Sequence, residues 1–345
     1  MAHSGPHRLR IATFNVENLG EATEPEASLD ERVRLLRPQL LRLRADILCL
    51  QEVDSQRQSS KKDRALEAME ALLAGTPYAA FHRATTVSRS TGGIRDKHNL
   101  VILSRAPILE QRQIFHDLVS PPRCRLATVE ADDDAEQHEA EQHIEWDRPF
   151  LCVAIRLDCG RTLHLLNVHL RAPRAAFLPG QKTSARTWRT MSSWAEGFFF
   201  AALKRSGQAL EVRLLVDQLF DNDDEALIVV CGDFNADAHE VPVRTICGDE
   251  EDAGNPHLIL RTLVPVERSL AHSRRFSVVH HGRPQMLDHL LVSRPLLAWY
   301  RGVEIHNEAL GDELITPNAV HGSPESYHAP VVAEFMIGGS DDAAL

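Results

Sequence analysis

Several apolar runs of this sequence stop at side chains that carry acids, amides or imidazoles. These polar positions are Asn15 and Glu17, Gln51 and Glu52, Asn167 and His169, Asp233 and Asn235, Asp288 and His289, and finally His328, which begins the last run. Turn residues such as Gly and Ser are the usual strand endings. Repeated endings of this polar kind predict that several strand ends converge on one pocket that can do chemistry.

The residue types at these positions restrict which chemistry that pocket could perform. The sequence has no GxSxG elbow, no Walker loop and no Cys/His arrangement for nucleophilic catalysis. It offers oxygen ligands and neutral imidazoles instead. Carboxylate and amide oxygens suit a hard cation such as Mg²⁺, and imidazole can move a proton or hydrogen-bond a phosphoryl oxygen. This combination favours hydrolysis of a phosphate ester by an activated water.

Each of these residues, taken alone, also has a structural interpretation. Asn235 could form an Asx turn, Asp233 could cap a helix, and His169 could be a hydrogen-bonded, half-buried histidine. Glu52 is the hardest to explain as structure, because a carboxylate at the end of an apolar strand needs a partner. His289 follows Asp288 along a strand and must point the other way, so we expect it to be structural.

Six short motifs occur in order along nearly the whole chain, from about residue 9 to 337. They are TFNVENL, LQEV, NVHL, CGDFN, MLDHLLVS and YHAPVV. Together they resemble the signatures of the endonuclease/exonuclease/phosphatase superfamily, the deoxyribonuclease-I-like enzymes, and most closely its bacterial endonuclease-type members. The resemblance implies an α/β (α+β) fold, a four-layer sandwich of two mixed β-sheets packed face to face with helices on both outer faces.

The resemblance also implies roles for individual residues. Glu52 would be the main Mg²⁺ ligand, and Asn15 would help to hold the metal or the phosphate. Asp233 would orient the attacking water, with Asn235 beside it on the phosphate. His169 would contact the scissile phosphate.

The last two implied catalytic residues form a pair, and a departure from the family pattern lies beside them. His328 would stabilise the phosphorane or pass a proton, and Asp288 would fix its tautomer and raise its basicity. Family members usually carry Asp directly before this histidine, whereas this chain has Tyr327. The change puts a second metal site in doubt, and we expect Tyr327→Asp to tighten metal binding or raise turnover.

Strand–helix alternation fills both halves of the chain and is typical of α/β layers. The predicted strands cover 9–16, 45–53, 98–105, 150–157, 162–170, 226–235 and 328–336, with a hairpin in 275–293 around Gly282. The predicted helices cover 28–44, kinked or broken at Pro38, 63–74, and 183–220 with interruptions at Gly197 and Gly207. The run GFFFAAL (197–203) favours a buried helix over a membrane or protein contact. We expect a single domain over 9–337 and a frayed tail over 338–345.

The 345-residue chain has a formal charge of −11, but the charge is unevenly distributed. The stretches 130–145, 217–225 and 249–252 carry −17 together, which leaves the rest of the chain at +6. The first of these is predicted to be an inserted acidic loop, and all three are interpreted as solvated surface. The body of the protein is therefore mildly basic.

The stretch 170–205 is the most basic part and is predicted to be an insertion at the mouth of the pocket. It carries seven bases, with aromatics between them: Arg171, Arg174, Lys182, Arg186, Arg189, Lys204, Arg205, Phe177, Trp188 and Trp194. Two further basic segments, 83–97 and 57–64, complete a predicted polyanion-binding rim, with Arg171 and Arg174 as substrate-binding residues. For the aromatics we expect packing on a sheet, whereas for the basic side chains simple solvation is the alternative to the rim.

These patterns predict a Mg²⁺-dependent phosphodiesterase, with Mn²⁺ as a possible metal, that acts as a nuclease on DNA or RNA. Two alternatives stay open: an enzyme for a small-molecule or lipid-headgroup phosphate, and a polyanion-binding protein with catalysis weakened by Tyr327. The sequence shows neither a membrane span nor an N-terminal signal, and its six cysteines lack metal or disulfide spacing. We therefore expect a cytoplasmic protein without membrane contact, and no protein partner can be inferred.

Overall fold

A computed structural model describes residues 6–20, 28–57, 64–127, 141–312 and 325–338. The strands are β1 (His7–Leu19), β2 (Ile47–Val53), β3 (Gln56–Arg57), β4 (Arg64–Ala65), β5 (His82–Thr85), β6 (Asn99–Ser104), β7 (Ile108–Ile114), β8 (Arg123–Arg125), β9 (Glu141–His143), β10 (Phe150–Arg156), β11 (Thr162–His169), β12 (Leu227–Asp233), β13 (Leu263–Pro265), β14 (Val278–His280), β15 (Arg283–Gln285), β16 (Asp288–Ser293), β17 (Tyr300–Ile305) and β18 (Val331–Ile337). The helices are α1 (Leu29–Leu43), α2 (Glu67–Leu73), α3 (Met191–Asn222), α4 (Val241–Cys247) and α5 (Arg294–Leu297). Short 3₁₀ helices lie at Pro77–Ala80, Pro256–Arg261, Val266–Ser269 and His272–Arg274.

The long strands form two six-stranded sheets. Sheet 1 has the order β17-β18-β1-β2-β6-β5, and sheet 2 has the order β13-β16-β12-β11-β10-β7. Each sheet is mixed, because β1 and β2 run parallel in sheet 1, β11 and β12 run parallel in sheet 2, and the other neighbours are antiparallel.

Alternating apolar residues hold the layers together. On β2, Ile47 and Cys49 face the core between the two sheets, whereas Leu48 and Leu50 face α1 and α2. On sheet 2, β12 shows the same alternation toward the central core and toward α3 and α4. Each fully buried Leu or Ile contributes about 1.5–3 kcal/mol relative to an exposed one. The predicted four-layer sandwich of two mixed sheets with outer helices is confirmed.

The direction of the strands explains why the polar strand ends meet. The parallel strands β1 and β2 end at one edge of sheet 1, and β18, antiparallel to β1, starts there. In sheet 2, β11 and β12 end together, and β16 starts opposite the end of β12, so that Asp233 pairs with Asp288. The ends of four strands and the starts of two others therefore share one edge of the sandwich.

A buried amide pair joins the two sheets near this edge. The Gln51 side chain donates a hydrogen bond to Asn167 Oδ1 at 2.7 Å, and Asn167 Nδ2 donates to the Leu50 carbonyl at 3.1 Å. Both amide side chains are fully buried. Because a buried polar group is costly unless it is hydrogen-bonded, these contacts fix the relative position of the two sheets where the polar residues meet.

Helix α3 differs from its prediction in two ways. It begins at Met191 rather than 183, and it continues without a break through Gly197 and Gly207 to Asn222. A Cβ on Gly207 would lie 2.1 Å from the Trp146 ring, and one on Gly197 would lie 2.7 Å from the Ala176 carbonyl oxygen. The predicted interruptions are wrong, because both glycines allow close packing against the helix instead of ending it.

The other local predictions have mixed outcomes. Of the kink or break predicted at Pro38, the break is wrong, because helix α1 continues through that residue. Ser28 Oγ caps the helix by accepting a hydrogen bond from Glu31 N. Helix α2 begins at Glu67, later than predicted.

The hairpin around Gly282 is formed by β14 and β15, whereas β16 belongs to sheet 2. The run GFFFAAL lies in α3, but it is not fully buried, since Phe199 is 55% exposed.

Some predicted features lie outside the described residues. These are Lys61, Lys62, residues 130–140 of the predicted acidic loop, and 339–345 of the predicted tail. The end of that acidic loop is a strand, β9, which pairs with β8. Among the described ranges, none of the helices is both long and apolar enough to cross a bilayer. The six cysteines form no disulfide bond and are free thiols.

Candidate active site

A cleft of about 630 Å³ opens where the polar strand ends meet. Seven of the residues singled out in the sequence line it: Glu52, His169, Arg171, Arg174, Asp233, Asn235 and His328. Asn15 and Asp288 lie beneath its surface, fully or almost fully buried, and each contacts a lining residue. The structure thus brings all nine predicted site residues to one place.

The floor of the cleft is organised by Asn15. Its Nδ2 donates to Glu52 Oε1 and to Asp233 Oδ2, both at 3.1 Å. The remaining Glu52 oxygen accepts from the Asn18 backbone N–H at 3.1 Å. Asn235 in turn donates its backbone N–H to Asp233 Oδ1 at 2.8 Å. One amide therefore holds a carboxylate from each sheet close together, and the surrounding donors fix the orientation of both.

His169 completes this floor. Its Nε2 lies 3.5 Å from Glu52 Oε1 and 3.4 Å from Asp233 Oδ2, and only 3% of its side chain is exposed. The guanidinium of Arg148 lies against the ring, with Nη1 2.7 Å from Nε2. Burial lowers the pKa of His169 well below its usual value, and the neighbouring charges of Arg148 and His98 lower it further. A neutral imidazole is therefore expected here at neutral pH.

His328 forms the opposite wall with Asp288. Its Nδ1 lies 2.8 Å from Asp288 Oδ2, and its backbone N–H donates to Ser326 Oγ at 3.0 Å. Burial by itself lowers the pKa of His328, but the charge and hydrogen bond of Asp288 and the charge of Asp233 raise it well above the ordinary value. The ring of His328 is therefore expected to be protonated at neutral pH, with its Nδ1 bonded to Asp288.

Asp233 lies between these two groups. Burial raises the pKa of its carboxyl to about 7, with the charge of His328 opposing the shift and that of Asp288 adding to it. A carboxyl group with this pKa can hold or release a proton near neutral pH. Such a group is suited to accept a proton from a water that attacks a phosphorus atom.

The backbone around the cleft is unusual as well. Among the described residues, eight that are not glycine have positive φ, and five of them line the cleft: Glu17, Asn18, Glu52, His98 and Asn235. The left-handed region costs energy for residues with a Cβ, and such conformations concentrate at functional sites. The sequence folds into this arrangement because local hydrogen bonds, such as Glu17 N to Asn15 Oδ1 at 2.9 Å, stabilise it.

The family model for the endonuclease/exonuclease/phosphatase family matches residues 12–341 of the sequence. That match covers nearly the whole chain. The chain belongs to this family. Family members are hydrolases that act on phosphoester bonds, so the cleft belongs to a protein of that hydrolase class.

Solved structures support the fold. A family protein from Bacteroides thetaiotaomicron is 14% identical with a TM-score of 0.56, over 97% of this chain and 99% of that one. Truncated TDP2 from Caenorhabditis elegans is 15% identical with a TM-score of 0.54, over 95% and 98%. An AP endonuclease from Archaeoglobus fulgidus is 16% identical with a TM-score of 0.50, over 95% and 99%. At these low sequence identities, the similarity shows that this chain shares its fold with those proteins. No protein of curated function matched the sequence.

Enzymes of this family generally use divalent metals, and the side chains present are suited to one. Two groups offer ligand atoms within 4.8 Å of one another: Glu52 with His98 and His169, and Asp233 with Asp288 and His328. Within the described part of the chain, the buried Oδ1 of Asp288 has no hydrogen-bond partner. Carboxylates, imidazoles and an unsatisfied carboxylate oxygen form a donor set that fits a divalent cation.

Tyr327, the departure from the family pattern, lines the cleft beside His328. Its backbone N–H donates to Glu17 Oε2 at 2.8 Å. Burial raises the pKa of Glu17, and the charge of Glu52 raises it further, while the N–H of Tyr327 and the charge of His328 oppose the shift. The carboxyl group of Glu17 therefore lies beside Tyr327 in the cleft.

The basic insertion divides into two parts. Residues 171–190 lie outside the named helices and strands, and only 171–174 of them line the cleft, whereas the remainder of the insertion forms the start of α3. Arg171 and Arg174 line the cleft, as their position after β11 suggests. Trp188 packs against Gly197, but Phe177 is 71% exposed, so the expectation that the aromatics pack on a sheet is wrong for Phe177.

The other two segments of the predicted rim contribute unequally. Arg83 pairs with Glu70, and Arg64 pairs with Asp96 at 2.5 Å, so both side chains are already neutralised. Arg57 is exposed at the surface. Three basic residues of the 83–97 segment line a second cavity next to the cleft: Arg89, Arg95 and Lys97.

Three residues at the cleft were missed in the sequence or given no role. Glu17 lies in the TFNVENL motif and was singled out only as part of a strand ending. His98 directly precedes β6, which is the same kind of signal as the strand endings. Arg148 lies between the acidic run and β10, and no local pattern marks it, since only the fold brings it to His169.

Proposed function

We propose that this protein is a Mg²⁺-dependent phosphodiesterase that cleaves nucleic acid by attack of an activated water. One observation carries the proposal: a single cleft joins the Asn15–Glu52–Asp233 floor to the Asp288–His328 pair. The cleft offers carboxylates, an amide, one imidazole with a lowered pKa and one with a raised pKa. Groups of these kinds are suited to phosphoester hydrolysis. Mn²⁺ is an alternative metal for the same donors.

Glu52 would hold the metal, with Asn15 orienting that carboxylate. When bound, the cation would neutralise charge on the phosphate and on the leaving oxygen. Asn15 and Asn18 already donate hydrogen bonds to Glu52, so its carboxylate is positioned before any ligand arrives. Such preorganisation reduces the reorganisation that binding would otherwise require.

The protein's own groups then divide the proton transfers. Asp233, with a pKa of about 7, would accept the proton of the attacking water, and Asn235 holds it in orientation. His328, kept charged by Asp288, would donate a hydrogen bond to a phosphoryl oxygen. His169, neutral and held by Arg148, would donate a hydrogen bond to a second oxygen.

Nucleic acid is the preferred substrate because three arginines line the cleft. They are Arg148, Arg171 and Arg174. A polyanion gains affinity from several such contacts through release of counterions, whereas a single phosphate contacts only one or two of them.

A second candidate is a small-molecule or lipid-headgroup phosphate ester. Asp237 and Glu240 also line the cleft and favour this candidate, because their carboxylates oppose binding of an extended polyanion. Salt dependence separates the two candidates. Cleavage of nucleic acid should weaken steeply as ionic strength rises, and cleavage of a small ester should change little.

A substrate panel tests the proposal. Single- and double-stranded DNA, RNA, sphingomyelin, inositol phosphates and bis(p-nitrophenyl) phosphate would be incubated with Mg²⁺, Mn²⁺ or EDTA. We expect cleavage of nucleic acid with metal, none with EDTA, and a loss of about 10³-fold or more in Glu52→Ala. Glu110→Ala, which removes an exposed acid on β7, is the matched control. Cleavage that is indifferent to EDTA, or an absence of any phosphoester cleavage, would contradict the proposal.

A further inference from the structure

A second cavity of about 690 Å³ adjoins the catalytic cleft. The two share His98, Arg148 and Arg171 as lining residues, so they form one continuous depression. We call this second space the side cavity, lined by Arg89, Arg95, Lys97, Arg148 and Arg171. None of the chemistry described for the cleft uses it.

The acids near the side cavity are already paired with cations. Asp147 accepts from Lys204 at 2.7 Å and from Arg171 at 2.8 Å. Asp96 is paired with Arg64 at 2.5 Å. The carboxylates therefore position or neutralise other side chains, and the surplus charge of the side cavity is positive.

The arginines are held in place rather than simply solvated. Arg95 Nη2 donates to the Asp147 carbonyl oxygen at 3.3 Å. Arg89 Nη1 donates to the Phe115 carbonyl oxygen at 2.9 Å, and its guanidinium lies 5.3 Å from the centre of the Phe115 ring. Arginines fixed by backbone carbonyls and an aromatic ring lose little freedom when they bind an anion.

Two buried donors in this cluster have no acceptor. Within the described ranges, Nε of Arg95 and Nε of Arg171 are shielded from solvent and make no hydrogen bond. Leaving a buried charged donor without a hydrogen-bond partner is energetically costly. Burial and the nearby charge of Arg148 also lower the pKa of Arg95, so the two guanidinium groups repel each other. An anion in the side cavity would offset the repulsion between Arg95 and Arg148, and it would offer an acceptor to the guanidinium groups of Arg95 and Arg171, which line the cavity.

We propose that the side cavity binds the phosphate next to the scissile one, so that the substrate is a nucleic-acid strand and not an isolated phosphate ester. The inference rests on the proposed function, because it places the second phosphate relative to the cleft. Arg148 connects the cleft with the side cavity, since it contacts His169 in the cleft and also lines the side cavity. Asp237 and Glu240 line the cleft but not the side cavity, so a strand that extends into the side cavity runs away from these two acids.

Equilibrium binding in EDTA tests this inference without requiring cleavage. Fluorescence anisotropy would be measured with short fluorescein-labelled oligothymidylate and oligouridylate, over a range of salt concentrations. We expect Arg89→Gln and Arg95→Gln each to weaken binding by about tenfold and to reduce the slope of log affinity against log salt by about 0.7, the value for one lost phosphate contact on a single strand. Arg95→Lys, which keeps the charge, should recover part of the loss.

Two exposed arginines elsewhere provide matched controls. Arg34→Gln on α1 and Arg301→Gln on β17 remove the same charge from exposed side chains that line neither the cleft nor the side cavity, and they should leave affinity and slope unchanged. Thermal melting of every variant shows whether it folds. The inference is overturned if wild-type protein binds neither probe, or if the side-cavity variants behave like the controls. Binding with the expected pattern, but without cleavage in Mg²⁺ or Mn²⁺, would support the side cavity while rejecting the phosphodiesterase.

Discussion

His169 and His328 face the same cleft from different sheets, and their surroundings shift their pKa values in opposite directions. Burial acts on both in the same sense and disfavours the charged ring. His169 then meets cations, chiefly Arg148, and its pKa falls well below the usual value. His328 meets carboxylates, chiefly Asp288, and its pKa rises well above it.

The difference shows that burial alone does not set the charge of a histidine. The sign of the nearest charged partner decides it, because a charge within a few ångströms in a poorly solvated site outweighs the cost of desolvation. At neutral pH the cleft then contains one neutral ring and one imidazolium. The neutral ring can donate or accept a proton, and the imidazolium stabilises negative charge that develops on a phosphoryl oxygen.

The largest expected effect comes from removing each ring in turn. His328→Gln should lower kcat by about 10²–10⁴-fold, and His169→Gln by a smaller factor. Wild-type activity should fall as pH rises through the raised pKa of His328. The His328→Gln variant should lack this alkaline limb, whereas His169→Gln should keep it. Profiles of kcat against pH for the three proteins are the measurement. If both variants lack the decline of kcat at alkaline pH, the two histidines do not differ in protonation state as expected.

Asp288→Asn should bring the pKa values of His169 and His328 closer together. Without the carboxylate, the pKa of His328 should fall, and kcat should drop by about 10–10²-fold at neutral pH. Titration of the His328 ring by NMR measures the first effect directly. Asp158→Asn, at an exposed turn, is the control.

The Asp288–His328 pair also predicts how the free energy of unfolding depends on pH. Because folding raises the pKa of His328, its stabilisation is fully present below about 6.5, the ordinary pKa of histidine, and is lost as pH rises through the raised value. Urea unfolding across this range should show the dependence in the wild type and a smaller one in Asp288→Asn. Equal dependence in both proteins would mean that another group raises the pKa of His328.

The sequence was sufficient to predict where the polar residues meet. Each apolar run ends in a polar residue, and hydrogen-bonded strands of a mixed sheet bring such ends to one edge. Asp233 and Asp288 show this most directly, because they are cross-strand partners although they are 55 positions apart in the chain. The periodicity of the strands likewise predicted that His289 turns away from the cleft, and its ring contacts Glu267 in the interior.

Features that depend on distant packing were not visible in the sequence. The sequence predicts a helix interruption at Gly207, but this glycine accommodates Trp146, which lies far away in the chain. The sequence does not mark Arg148 as a site residue, because its contact with His169 exists only once sheet 2 and the preceding segment are in place. Local patterns report local geometry, whereas these residues are placed by contacts between elements.

The smallest expected effect concerns Tyr327, which lies next to His328 and beside Glu17. Tyr327→Asp would add a carboxylate on the side of the cleft that already carries the anionic partners of His328. The added charge should tighten Mg²⁺ binding by about tenfold, or about 1.4 kcal/mol, and should lower the melting temperature of the metal-free protein through repulsion among the acids. Calorimetric titration with Mg²⁺ and melting with and without EDTA measure both effects. Tyr327→Asn separates charge from size, because it removes the phenol without adding a carboxylate. If metal affinity, melting temperature and turnover are the same in Asp and Asn variants, the carboxylates near His328 act on that ring alone and not on a cation.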